Sequence, residues 1–454
     1  MNETIVGILG FLTIAAIVLT LFKSKTLPSI AFIVFPAILA VILVIGGYYS
    51  FGNVAALIKS GFGSTGPTAA LFVFSVLYFG IMTDAGMFDV IIGKLMKLVG
   101  GNVIGVTVMT CIIALIGHLD GGGASTFCIV VPAMLPIYKK MHMKPTSLLQ
   151  VAVLAMGVLN LMPWAGPTMR AASVLGMEAG ELWGTLIPIQ IFGVILALVH
   201  AVIVGILEKK RGAGLDGKLA QIEGEVVLDE AEAAAASELA RPKLFLFNII
   251  LTVAVIALLI WDEFPSYVPF MLGVAIAILV NYPGAKMQKK IINAHAGPAL
   301  MMCSTLMGAA VLMGVLVKSV TVGDTEIPSV VTCMADLIKM ILPAFLGRHL
   351  PLVIGILSVP LALAFDTDSY FYGMLPVMIG IGQGFGIDPV SIGVAMVVCR
   401  NCATFISPMV PATLLGVGLA DVDIKDHIKN SFLWVWGFSF LCMVFAILVG
   451  IMPL

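Results

Sequence analysis

Apolar residues run through this chain in long stretches broken by short polar ones. The stretches occupy 4–22, 27–48, 67–83, 102–117, 124–138, 146–162, 168–206, 243–261, 267–281, 297–317, 351–365, 370–386, 389–420 and 431–453. A helix needs roughly 20 apolar residues to cross a bilayer, so several stretches are too short to cross alone, and two are long enough to hold a break. One composition shift stands apart: residues 207–242 open basic, turn acidic from Gly224 to Ala240, and carry no apolar face long enough to cross. This segment reads as a cytoplasmic linker between two halves, 1–206 and 243–454.

Lys and Arg orient the spans, because basic loops stay in the cytoplasm. The basic clusters are Lys23 with Lys25, Lys94 with Lys97, Lys139 to Lys144, Lys209 to Arg211 with Arg241 and Lys243, Lys286 to Lys290, and Lys425 with Lys429. All lie inside if 102–138 enters from the cytoplasm, turns at Gly117 to Ser125 and returns as a re-entrant hairpin. The first half then crosses five times, at 4–22, 27–48, 67–83, 146 to about 180, and 183–206. Five is odd, so the second half repeats the pattern upside down, crossing at 243–261, 267–281, 297–317, 389 to about 420, and 431–453. Its own re-entrant hairpin, 351–386, enters from outside. The N-terminus is then external. Against the charge rule, the outer segment 318–350 holds Lys318, Lys339 and Arg348. The fold class expected is an all-α polytopic membrane protein of two inverted-topology repeats, each with a re-entrant helical hairpin and a broken transmembrane helix.

Composition agrees with the pattern. The chain has 454 residues, 60% hydrophobic and 11% charged, with mean hydropathy +1.13. Soluble domains carry about a quarter charged residues. A net charge of -1 with no long basic block excludes nucleic-acid binding, and the lipid bilayer is the expected surrounding. The seven Cys lie in or beside apolar segments and imply no disulfide framework.

Matching interruptions mark the candidate chemistry. Each half has a Met-Leu-Pro on the returning arm of its hairpin, at 134–136 and 374–376, and then an Asn, Asn160 or Asn401, followed by a Pro-rich break. Proline removes a backbone donor and frees carbonyls, and irregular backbone at membrane depth survives only where protein or a wet cavity satisfies it. The hairpins turn through His118, Asp120, Gly121 to Gly123, Ser125 and Thr126, and through Asp366, Thr367, Asp368 and Ser369. An Asp at the bilayer centre costs about 2.5 to 3.5 kcal/mol, so three Asp imply cations, protons or helix N-termini that offset them. Asn160, Gly166, Thr168, Asn401 and Thr404, with the tip residues Ser125, Thr126, Thr367 and Ser369, are the candidate substrate contacts. Arg170 and Arg400 flank the breaks and suit a carboxylate. Arg170 could equally serve Glu178, and Arg400 could serve Asp388 or a hairpin Asp. His118, Asp120, Asp366 and Asp368 are the candidates for ion coupling, His118 because imidazole titrates near neutrality when unperturbed. The three Asp are also the candidate metal ligands, since a hard cation takes oxygen donors.

YFGIMTDAGMFD (78–89), HLDGGGAST (118–126), PAMLPIYKK (132–140) and GVLNLMPWAGPTMRAAS (157–173) resemble the CitMHS family of bacterial metal-citrate:proton symporters. The likeness is strong over about 67–211 and looser but collinear through DTDS and CRNCATFISP in the second half. The resemblance implies an ion transporter superfamily fold with elevator-like movement, a homodimer, and a place in the bacterial cytoplasmic (inner) membrane. It implies proton-driven uptake of citrate complexed with Mg²⁺ or Ca²⁺, and no tightly bound cofactor. One position departs: family members often carry an acidic residue between the glycines of the first hairpin, where this chain has Gly122. Alternatives are a sodium-coupled dicarboxylate or gluconate-type carrier and, from another class, an intramembrane hydrolase using Asp366 and Asp368 as a dyad.

Overall fold

The computed structural model describes residues 1–23, 26–98, 101–214, 239–261, 263–322 and 325–453. Lys25, one of the orienting charges, and residues 215–238 of the linker lie outside the described residues. The first half folds into α1 (Glu3–Phe22), α2 (Pro28–Ile45), α3 (Phe51–Asp84), α4 (Met87–Met96), α5 (Val103–Gly117), α6 (Gly123–Lys140), α7 (Pro145–Leu159), α8 (Gly166–Leu175) and α9 (Ala179–Lys210). The second folds into α10 (Phe245–Trp261), α11 (Tyr267–Asn281), α12 (Ala285–Val317), α13 (Val330–Lys339), α14 (Ala344–Arg348), α15 (Leu350–Ala362), α16 (Leu375–Gln383), α17 (Pro389–Cys402), α18 (Pro411–Ala420) and α19 (Ile424–Leu448). The two series correspond element by element: two spans, a long helix, short connectors, a hairpin, a helix in two pieces, and a last span. Among the described residues nine helical stretches are long and apolar enough to cross a membrane.

Helix starts are set by local chemistry. Asn2, Ser50, Asn102, Asp388 and Asp423 accept a backbone N–H from the first turn of α1, α3, α5, α17 and α19, which satisfies donors that the helix leaves orphaned. Proline opens α2, α7, α8, α17 and α18, where its missing N–H costs nothing.

One expectation is corrected. The long helices α3 and α12 begin well before the apolar stretches 67–83 and 297–317, because turns holding Asn53, Lys59, Lys286 and Lys290 lower the hydropathy without stopping the helix. At about 1.5 Å per residue, the 34 residues of α3 exceed a hydrocarbon core of about 30 Å. Beside the helices, in the segment 318–350, β1 (Val320–Val322) pairs antiparallel with β2 (Thr325–Ile327), Val320 opposite Ile327. There Lys339 meets Asp336 at 3.1 Å, so one of the three misplaced charges is locally offset.

α3 packs along α12 where small residues let the backbones touch. A Cβ on Gly61 would overlap the Ala310 carbonyl, and one on Gly314 would lie 2.6 Å from the Leu57 oxygen. Close backbone approach of this kind substitutes for the hydrophobic drive that lipid does not supply. Outer faces of α1, α2, α10 and α11 expose Leu12, Ile38, Leu246, Val253 and Leu279, as a lipid-facing surface requires, whereas α7 and α17 are buried on every side.

Candidate functional site

The two buried helices break beside each other. A Cβ on Gly157 would lie 2.8 Å from the Asn401 carbonyl, so only glycine allows α7 and α17 to cross here. α7 stops at Asn160 and α8 starts six residues later at Gly166. The Asn160 carbonyl, released by the break, accepts the Thr168 hydroxyl at 2.7 Å and the Asn401 side-chain amide at 3.0 Å. Asn401, from the other half, thus closes the first half's break. In the second half a short turn over Thr404–Ile406 follows α17, and the Ser407 hydroxyl donates to the Ala362 carbonyl at the end of α15.

The first hairpin turns over a 3₁₀ turn, His118–Asp120, and Gly121 at φ +72°, a left-handed conformation that glycine adopts without strain. Asp120 is tied into its own turn: Gly122 N donates to one oxygen at 2.7 Å and the Ser125 hydroxyl to the other at 2.5 Å. The Thr126 hydroxyl donates to the Gly122 carbonyl at 2.6 Å and meets His118 Nδ1 at 2.7 Å, while His118 Nε2 meets Asn160 Oδ1 at 3.1 Å. His118 is fully buried and pins the tip to the first break. Trp164, within that break, donates from its indole to the Leu119 carbonyl at 2.8 Å.

The second hairpin descends through α15, turns at Asp366 to Asp368, and resumes as a π-helical turn, Ser369–Met374, ahead of α16. Ser369 N donates to Asp366 Oδ1 at 3.1 Å. Asp368 receives Arg170 Nε at 2.6 Å across the two halves. Glu178, the alternative partner for Arg170, instead accepts from the Ser266 backbone at 3.0 Å. Arg400 meets neither Asp388 nor a hairpin Asp within ion-pair distance. It donates to the Thr404 hydroxyl at 3.2 Å and more weakly to the Phe365 carbonyl and Thr367 hydroxyl at 3.4 and 3.5 Å, and it stacks over Tyr370 at 5.7 Å. Asp388 caps α17.

Several side chains here remain unsatisfied. Arg400 Nε, Asn160 Nδ2, Asn401 Oδ1 and Thr413 Oγ1 are buried with no hydrogen-bond partner. Buried polar groups are nearly always paired, so these open atoms stand out in the buried interior. Thr126, Thr168 and Ser125, expected to meet substrate, spend their hydroxyls on the protein itself. Gly166 lies against Arg170, where a Cβ would come within 2.6 Å of Nη1. Trp164, Phe405 and Thr413 were not singled out by sequence. Phe405 sits edge-on to His118 at 5.2 Å and against Gly123, and for all three residues the one sequence signal was a place in or beside a break. Among the described residues no three His, Cys, Asp or Glu side chains converge to hold a metal ion. Asp120, Asp366 and Asp368 therefore do not form one preformed centre, because Asp120 is held in the first tip and Asp368 by Arg170.

Comparison with known proteins gives these features a family. A profile described as "Citrate transporter", CitMHS, matches residues 11–399. The chain is 34% identical over 447 residues to a citrate transporter of Bacillus subtilis (strain 168), covering 98% of this chain and 99% of that one. It is 32% identical over 444 residues to the Mg(2+)/citrate complex secondary transporter of the same organism, covering 98% of each. The fold is similar to the crystal structure of the Alcanivorax borkumensis YdaH transporter, with TM-score 0.55 and 13% identity over 89% of this chain and 91% of that one. The crossed, broken helices and paired hairpins thus sit in a fold shared with YdaH, and the chain belongs to the CitMHS citrate transporter family.

Proposed function

We propose that this chain is a secondary active symporter that takes up citrate as a divalent-metal complex, driven by protons, across a bacterial cytoplasmic membrane with its N-terminus outside. Arg400 carries this reading. A fully buried guanidinium with no carboxylate partner among the described residues is an uncompensated charge at membrane depth, and such a charge calls for an anion. Asn160 Nδ2 and Asn401 Oδ1, both open beside it, are a donor for a second carboxylate oxygen and an acceptor for the citrate hydroxyl. The metal travels as cargo: with no cluster of three protein ligands among the described residues, citrate itself supplies most of the oxygen shell that Mg²⁺ or Ca²⁺ requires. The name of the second relative supports the metal complex.

The dyad of a hydrolase has no place here, since the family consists of secondary transporters and Asp368 is engaged by Arg170. Gly122 favours one variant reading, citrate without metal, because it replaces a carboxylate at the hairpin tip. Uptake of radiolabelled citrate into proteoliposomes under an inward proton gradient, with and without Mg²⁺, is the test. Uptake is expected only with the gradient and to rise with Mg²⁺; no citrate uptake under any gradient overturns the proposal.

A further inference from the structure

Arg170 and Arg400 flank the two breaks, yet their electrical situations are opposite. Among the described residues Arg400 has no carboxylate within ion-pair distance, whereas Arg170 is held by one that belongs to the other half of the protein. That hold is incomplete. Asp368 takes Arg170 through Nε alone, at 2.6 Å, while Nη2 points at the Met302 sulfur of α12 at 3.2 Å. A guanidinium offers a carboxylate two parallel donors, and a thioether is only a weak acceptor, so half of the fork is spent poorly. The pair is 7% and 15% exposed, and a cavity of about 550 Å³ begins at Val174, one helical turn beyond Arg170, where α8, α13 and α16 meet Lys318. Asp366 faces Asp368 from the same turn and opposes its charge. Tyr372 faces it from the π-helical turn, and Arg400 acts from α17 on both Asp366 and Arg170.

The geometry points to Asp368 as a built-in carboxylate that occupies the guanidinium of Arg170 until a second substrate carboxylate displaces it, so that the Arg170–Asp368 pair selects substrates with two or more carboxylates. This rests on the reading that carboxylates bind here. Exchanging one carboxylate for another leaves Arg170 paired throughout, so the unpaired charge falls on Asp368, the more exposed of the two at 15%, and not on the guanidinium. A two-point substrate carboxylate also recovers the donor now given to sulfur. A monocarboxylate is satisfied at Arg400 and does not compete with Asp368, whereas a di- or tricarboxylate reaches both cations.

The test is ligand-induced thermal stabilisation and calorimetric affinity of the purified full chain for citrate, succinate and acetate, in wild type, D368N, D368E and R170Q/D368N. Asp368→Asn removes the competitor. It is expected to tighten citrate and succinate binding by about tenfold, to leave acetate affinity at Arg400 unchanged while a second acetate site opens at the freed Arg170, and to lower the melting temperature without ligand. The gain disappears in R170Q/D368N. D368E, which keeps a carboxylate on a longer arm, falls between wild type and D368N. Citrate binding no tighter in folded D368N, or acetate tightened equally, overturns the latch while leaving the citrate reading intact. If D368N does not fold, D368E binding citrate no tighter than wild type overturns it as well. Absence of citrate and succinate binding in the wild type overturns both.

Discussion

Arg400 is wholly buried, with one open donor and long bonds on others. The proposed function makes it a residue kept for its ligand and not for stability. Replacing it with methionine, similar in length and uncharged, is expected to leave the melting temperature unchanged or raised and to abolish stabilisation by citrate. A thermal-shift series in detergent checks both halves, and a collapse of the unliganded melting temperature would show Arg400 to be structural instead. Gly122 supports a second prediction. A side chain there would point between Ser125 Oγ and the Asp120 carboxylate, with its Cβ 3.0 Å from Asp120 Oδ2. Gly122→Asp sets two carboxylates together, so the variant should melt several degrees lower in a chelator and regain the loss with Mg²⁺ or Ca²⁺. Asn160, Asn401 and Arg400 were legible in the sequence because a polar group inside an apolar run has few innocent explanations. Their bond partners were not, since Arg170 and Asp368 stand 198 positions apart and local pattern carries no information on which distant charge a guanidinium meets.

Each break works because the other is beside it. The carbonyl freed at Asn160 is satisfied partly by Asn401, so the first discontinuity leans on the second half, and Gly157 sets how near they come. Gly157→Val would drive a branched side chain into the Asn401 backbone. Overpacking of this kind costs about 1–3 kcal/mol, and here it also pulls the open amides apart. A lower melting temperature together with loss of citrate binding is expected; normal citrate affinity in Gly157→Val would dissociate the crossing from the site. Trp164 gives a gentler probe. Trp164→Phe removes its bond to the Leu119 carbonyl and should loosen the first tip, read as faster thiol labelling of a cysteine placed at the exposed Ala124.

For the whole molecule, the proposed topology of two sets of five crossings returns the chain to the side on which it began. Cysteines placed near positions 2 and 452, in a background without the seven native thiols, should react with a membrane-impermeant reagent from outside intact cells, whereas one in the linker 207–242 should not. Labelling of only one terminus would break the inverted pairing. The same assay reports on the segment 318–350, where a β-hairpin and two short helices carry Lys318 and Lys339 half-buried and Arg348 exposed.

Apolar length, the placement of Lys and Arg, and the matched Asn and Pro positions were enough to define a polytopic bilayer protein of two opposed repeats with interrupted helices, because those properties depend on neighbours along the chain. Polar turns in α3 and α12 misled the span boundaries, since a helix continues through residues that hydropathy counts as ends. Which amides stay open and which arginine already has a carboxylate were settled by packing between halves. Those outcomes depend on distances of a few ångströms between residues far apart in sequence, and such distances exist only once α7 and α17 have crossed.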